Sequence, residues 1–286
     1  MQLTDESLRD AYDQQLRAWV PPRPPAGWII ERDGPLTRIA ADGQEGFVTY
    51  VTLDVDGPEL DALIARQRDY FAARGEAVEW KLHGHDRPAD LPQRLIAAGF
   101  VPDDQETVVI GEAAPLANRT PPLPAGVRLR EVTARADLDR IVVMEETVWG
   151  EDRSHLAVAL EDELAADPGG MTVVVVEAGE LVASRPANRP CERDDPRPSG
   201  PVVCAGWIRY VGGTSFGTLW GGSTLPEWRG QGIYRAVVAY RAALAIERGH
   251  TLLEVDASDD SRPILQRSGF VAVTTTTPYV HPAPGD

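Results

Sequence analysis

STLPEWRGQGIYRAVV, Ser223 to Val238, decides how this chain is read. An apolar run from Phe216 to Leu225 reads as a strand that ends here, and Pro226 turns the chain. Apolar positions at Ile233, Val237, Tyr240 and Leu244 then recur at helical spacing, predicting a helix over Gly230 to Arg248. Gly230 and Gly232 have no Cβ, so the backbone between strand and helix can approach a ligand closely and take left-handed φ. The first N–H groups of a helix have no internal partner and sit at the positive end of its dipole. The turn is therefore suited to a phosphate or pyrophosphate. Arg229 adds a fixed positive charge beside it. Other phosphate motifs do not fit: GxxxxGK[ST] is absent, and a GxGxxG fingerprint would need glycine where Arg235 stands.

Outward from this stretch, the second half alternates between strand and helix. Val127 to Val132 reads as a strand, and Ala136 to Trp149 and Ser154 to Ala166 as helices, with Ser154 a plausible N-cap. Met171 to Glu177, Val202 to Val211 and Phe216 to Leu225 read as strands. The helix of the opening stretch follows, then a strand (Thr251 to Ala257), a short helix (Ser261 to Arg267) and a last strand (Phe270 to Val280). Two proline-rich stretches break the pattern. Ala113 to Gly126 reads as an interdomain linker, and Arg185 to Gly200 as a long loop.

The first half partly echoes the second. Phe47 to Val55, Val78 to Leu82 and Thr107 to Ile110 read as strands, and Glu59 to Arg74 and Leu91 to Ala98 as helices. The spacing from Gly57 to Gly99-Phe100 is similar to that from Arg229 to Gly269-Phe270, which suggests an internal duplication. The turn at Asp56, Gly57, Pro58 and Glu59 is acidic and makes a poor anion cradle. The expected fold is α/β, a mixed sheet with flanking helices, in two related domains (1–114 and 127–286) joined by 115–126.

Arg229-x-x-Gly232-x-Tyr234 after a strand, followed by helix, strand and a short helix ending in Gly269-Phe270, resembles the GNAT superfamily of acyl-CoA N-acyltransferases over roughly Val127 to Val280. The tandem layout is similar to that of the mycothiol synthases, with the N-terminal copy degenerate. The resemblance implies acetyl-CoA as co-substrate and an amine as acceptor. It implies that Ser223, Thr224 and Leu225 line the pantetheine arm and that Arg229, Gly230, Gln231, Gly232, Ile233, Tyr234 and Arg235 hold the pyrophosphate. Ser258 and Ser261 fall in the later cofactor-contacting segment. Two departures stand out. Tyr234 occupies a position usually Gly or Ala, and Leu265 stands where the family often has the tyrosine that protonates the leaving thiolate.

Acyl transfer to an amine needs a base for the amine proton and an acid for the thiolate, and a donor for the carbonyl oxygen. Tyr279, Tyr234, Ser261 or a bound water are the candidate acids, with Tyr279 preferred because a final strand can return beside the cofactor. Glu145, Glu146, Glu151 and Asp152 form an acidic segment able to attract an ammonium group, and Glu146 is taken as the base candidate there. Glu254 and Asp256 share one face of a strand and are rival bases.

Composition narrows the partners. A net charge of −16 argues against nucleic acid or an anionic membrane and permits a cationic small-molecule amine. Two cysteines, Cys191 and Cys204, make neither a disulfide framework nor a zinc site, and His83 and His85 lack a third ligand. No metal is expected. The expected setting is cytoplasmic, as a monomer or homodimer. A non-catalytic acyl-CoA sensor and a peptide or protein N-acetyltransferase are the competing readings.

Overall fold

The computed structural model describes residues 3–22, 24, 27–41, 44–179 and 200–285. The long loop read at 185–200 lies outside them except for Gly200, as does Cys191. In chain order the elements are α1 (Asp5–Gln15), β1 (Trp28–Asp33), β2 (Leu36–Ala41), β3 (Gly46–Thr49), α2 (Gly57–Arg74), β4 (Val78–His83), α3 (Leu91–Ala97), β5 (Val101–Pro102) and β6 (Glu106–Glu112). They continue with α4 (Ala113–Ala117), β7 (Val127–Val132), α5 (Arg135–Trp149), α6 (His155–Ala166), β8 (Met171–Ala178), β9 (Val202–Tyr210) and β10 (Phe216–Thr224). A 3-10 turn (Pro226–Trp228), α7 (Ile233–Glu247), β11 (Leu252–Ala257), α8 (Arg262–Ser268) and β12 (Val271–His281) complete the chain. The mixed α/β class read from the pattern is the class observed. Among the described residues no helix is long and apolar enough to cross a membrane.

The chain divides into two compact units, Met1–Ile110 with Asp256–Gln266 and Val271–Asp286, and Gly111–Val255 with Arg267–Phe270. These differ from the domains expected from sequence. The last strand groups with the first unit because β12 pairs antiparallel with β4 (Thr276↔His83) and with β6 (Thr276↔Glu106). The first unit's sheet runs β1-β2-β3-β4-β12-β6, with β5 on β12. Its core joins Leu60, Leu63, Ile64 and Phe71 of α2 and Leu91 and Leu95 of α3 to Leu36, Val48 and Trp80 of the sheet. Four of its elements, α1, β1, β2 and β5, have no counterpart in the sequence reading. Thr4 and Ser7 form a reciprocal capping box that starts α1.

In the second unit the order is β11-β10-β9-β8-β7, with β10 and β11 parallel and the other pairs antiparallel. α5 and α6 pack Leu138, Ile141, Met144, Ala157 and Leu160 on one face, against Val173, Val175, Ala205 and Trp207. α7 lies on the other. The start of the expected linker is helical: α4 buries Ala113 and Leu116 beside α7. Ser154 precedes α6 but makes no side-chain cap bond.

Two buried polar arrangements hold this unit. Arg241 of α7 is 1% exposed. Its Nη1 donates to the carbonyls of Trp207 on β9 and Trp220 on β10, each at 3.0 Å, and its Nε donates to Val237. A side chain at Gly206 would strike it, since a Cβ there lies 2.8 Å from Nη1. The second arrangement centres on Glu177 of β8, which accepts from Arg130 (2.8 Å) and Arg140 (2.6 Å), while Arg130 also grips Asp137. Burial opposes ionisation of Glu177, but the two guanidinium groups outweigh it and hold its pKa down at about 2.

Arg241→Met leaves two strand carbonyls without donors and should lower unfolding stability by about 3 kcal/mol. Arg241→Lys should recover little, because one ammonium does not reproduce the planar fork. Denaturant titration reads both. Glu177 has a folded pKa below its ordinary 4.5, so its contribution is present above that value and is lost as pH falls toward 2. Acid unfolding of Glu177→Gln should therefore show a shallower dependence on pH between about 4.5 and 2, with stability at pH 7 lower by about 3 kcal/mol.

Candidate cofactor and acyl-transfer site

The site is built on β10. Only Phe216, Gly217 and Thr218 pair with β11, the last against Glu254, whereas the ladder to β9 continues to Thr224↔Cys204. Among the described residues, the β11-facing edge of β10 beyond Thr218 thus carries no ladder. A bulge lies between Gly221 and Ser223. Both bulge glycines are left-handed, at φ +67° and +91°. A Cβ on Gly221 would lie 2.5 Å from the Trp207 ring, and one on Gly222 2.8 Å from the Tyr234 ring, so both positions require glycine. The N–H of Leu225 donates to Val203 on β9 at 2.9 Å. That hydrogen bond takes Leu225 away from the role of main-chain cofactor contact. Alternation turns the main chain of Thr224 toward the open edge instead. There its carbonyl accepts from Arg229 Nε at 3.0 Å.

The glycine turn follows. Gly230 (φ +75°) and Gly232 (φ +84°) are left-handed, and α7 starts at Ile233, three residues later than the pattern predicts. The apolar periodicity begins at Ile233, and the left-handed Gly230 and Gly232 before it cannot belong to a right-handed helix. Nothing lies within 4 Å of a Cβ built on Gly230, so the turn is open to a ligand. Gly232 is the N-cap and makes no side-chain cap, which leaves the first N–H groups of α7 for an anion. Gln231 donates to the carbonyl of Glu227 at 3.2 Å and braces the turn. Arg229 and Arg235 are exposed and have no carboxylate partner among the described residues. An open, donor-rich, cationic turn fits the pyrophosphate of coenzyme A.

Successive side chains on β10 point to opposite faces, so Ser223 and Thr224 divide the site into two sides. On the α5 side, Glu145 is 3% exposed. Its Oε2 accepts from Ser223 Oγ (3.0 Å) and Trp149 Nε1 (2.8 Å), while its Oε1 is buried with no partner. Burial raises its pKa. On the α7 side, Tyr234 lays its ring against Gly222 of the bulge. Burial raises its pKa, and the charge of Arg241 pulls it back down. Thr224 Oγ1 donates to Cys204 Sγ at 3.2 Å, and burial pushes that thiol to about 11. Cys204 is an inert core residue.

The other expected site residues divide between the two units. Tyr279 is in the core of the first unit, paired across the ladder with Trp80. Ser258 and Ser261 belong to the first unit and are engaged with each other (Oγ to Oγ 3.2 Å) at the start of α8. Asp256, also in that unit, is ion-paired with Lys81. Glu146 is half-buried and accepts from the Arg153 N–H at 3.2 Å. Glu254 is buried at the last β10–β11 pair, where the two strands part. His83 bonds Tyr12 Oη at 3.0 Å and is held neutral by burial, its pKa at about 2, and His85 bonds Asp13 and Thr274. Both histidines are structural. Sequence reasoning placed Glu145 only in a general acidic rim. The bulge was signalled by the Gly221-Gly222 pair inside a strand.

No protein-family model and no curated protein matches the sequence. Solved structures do match. A GCN5-related N-acetyltransferase from Kribbella flavida superposes with a TM-score of 0.64 at 18% identity, covering 98% of this chain and 95% of that one. A tandem GNAT protein from the clavulanic acid biosynthesis pathway gives 0.59 at 16%, covering 92% and 86%. A GCN5-related N-acetyltransferase from Sphaerobacter thermophilus gives 0.58 at 13%, covering 88% and 78%. The glycine turn, the bulged strand with its open edge and these superpositions lead to one conclusion: over nearly its whole length this chain has the fold of the GCN5-related N-acetyltransferases.

Proposed function

We propose that the chain transfers an acetyl group from acetyl-CoA to a primary amine of a small molecule, by direct attack within a ternary complex. The observation that carries this reading is the open, left-handed Gly230–Gly232 turn leading into α7 beside the open edge of β10. A bound acyl thioester supplies an activated carbonyl. The N–H of Thr224, on the open edge, is the main-chain donor available to a developing oxyanion.

Glu145 is the proposed acceptor-side base. Its unpartnered Oε1 gives an ammonium group a place to bind, and its raised pKa brings it nearer to the range in which a base works. Ser223 and Trp149 fix the carboxylate by donating to the other oxygen. Tyr234 is the proposed acid for the leaving thiolate, replacing the tyrosine that Leu265 displaces. Leu265 itself is fully buried and offers no proton. Glu145 and Tyr234 lie on opposite faces of β10, which suits attack from one side of the carbonyl and departure from the other. Glu254, at the point where β10 and β11 part, is the rival base. The net charge of −16 favours a cationic acceptor.

Release of free thiol from acetyl-CoA should depend on an added amine when a panel of small amines is screened with the full chain. Cofactor binding without thiol release from any amine would replace this reading with that of an acyl-CoA sensor. In an active pair, kcat/KM should rise with pH through a Glu145 pKa above the ordinary 4.5, because the base works deprotonated. Glu145→Gln should remove that limb and lower kcat/KM by about 10²-fold or more. Tyr234→Phe should lower kcat by about 10²-fold with little change in KM for acetyl-CoA. An unchanged pH profile in Glu145→Gln would move the base role to Glu254.

A further inference from the structure

A second cationic feature adjoins the glycine turn. Arg119, Arg235 and Arg267 stand around a cleft floored by Leu116, Val238 and Ala239, all within the second unit. Arg119 follows α4, Arg235 is in the first turn of α7, and Arg267 is in the last turn of α8. The three guanidinium groups are exposed, and none has a carboxylate partner among the described residues. The chain has 44 acidic and 28 basic residues, and Arg94, Arg130, Arg135, Arg140 and Arg209 are each paired with acids. The arginines are partly fixed. Arg119 Nη1 donates to the Ser268 carbonyl at 3.2 Å, and it lies 3.1 Å from a Cβ built on Gly269. Arg235 Nη2 lies 3.7 Å from a Cβ built on Gly232, so this one side chain borders both the turn and the cleft.

We infer that this cleft is a second anion site, which takes the phosphate monoester on the ribose of the coenzyme A nucleotide. The inference rests on the acyl-CoA reading above and deepens it. Three like charges held around one small cleft repel one another until an anion neutralises them. A phosphate monoester carries about −1.5 to −2 charges at pH 7 and presents several acceptor oxygens, which suits several guanidinium forks at once. The pyrophosphate at Gly230–Gly232 and the monoester in the cleft are joined by one nucleoside, and Arg235 stands between the two positions. The apolar floor gives a ribose or a base edge a surface to lie on. The chain would thus distinguish coenzyme A from carriers that end at the pantetheine or at an unphosphorylated nucleotide.

The test compares acetyl-CoA with acetyl-dephospho-CoA by calorimetry on the full chain. The native chain should bind acetyl-CoA at least about tenfold more tightly, a difference that shrinks with added salt. Arg267→Ser combined with Arg119→Ser should bring acetyl-CoA affinity down to that of the dephospho compound and leave the dephospho affinity unchanged, with the melting temperature monitored alongside. Equal affinity of the native chain for the two thioesters overturns the cleft assignment and leaves the transferase reading standing. So does an equal loss for both thioesters in the double variant. Binding of neither overturns both.

Discussion

A single buried guanidinium sets the geometry on which the site depends. Among the described residues Arg241 has no carboxylate partner, and what keeps it in the interior is a pair of strand carbonyls, one on β9 and one at the start of the β10 bulge. Desolvation lowers its pKa, but an arginine starts so high that it stays charged. Arg241 lies in the middle of α7, whose N-terminus follows the glycine turn. Two hydrogen bonds therefore fix the turn relative to the bulge, and Gly206 is left without a side chain so that they can form. The cation also lies close enough to oppose the burial of the Tyr234 hydroxyl.

The bulge converts this framework into a two-sided site. A regular strand already alternates its side chains, but the left-handed Gly221 and Gly222 reset the register and let aromatic rings press on the backbone from both sides, Trp207 from one and Tyr234 from the other. Ser223 then reaches Glu145 and Thr224 reaches Cys204. A carboxylate and a phenol are held apart by the thickness of one strand, each desolvated and each shifted toward its protonated form by burial.

Much of this was legible because it is local. The strand, turn and helix around RGQG follow from periodicity and two glycines, and β7 and α5 lie where their apolar patterns put them. What was hidden depends on partners distant in the chain. Glu145 and Glu146 are neighbours with the same chemistry, but about 100° apart on a helix one meets Ser223 and the other faces the Arg153 backbone. Tyr279 reads as a tyrosine at the end of a strand whichever strand lies beside it. Only the pairing with β4 sends it into the core of the first unit. The start of the expected linker is a helix because Ala113 and Leu116 find α7 to bury against, which proline content does not reveal.

The return of β12 to the first unit has a cost in time. β4 and β6 each pair with it, so the middle of that sheet is missing until a segment far along the chain arrives. At a synthesis rate of about 5–20 residues per second, two strand edges wait on the order of ten seconds or longer for their shared neighbour. Unpaired edges of that kind template the wrong partners, and such distant pairing folds slowly. The first unit, although begun earlier, is thus the later of the two to be completed.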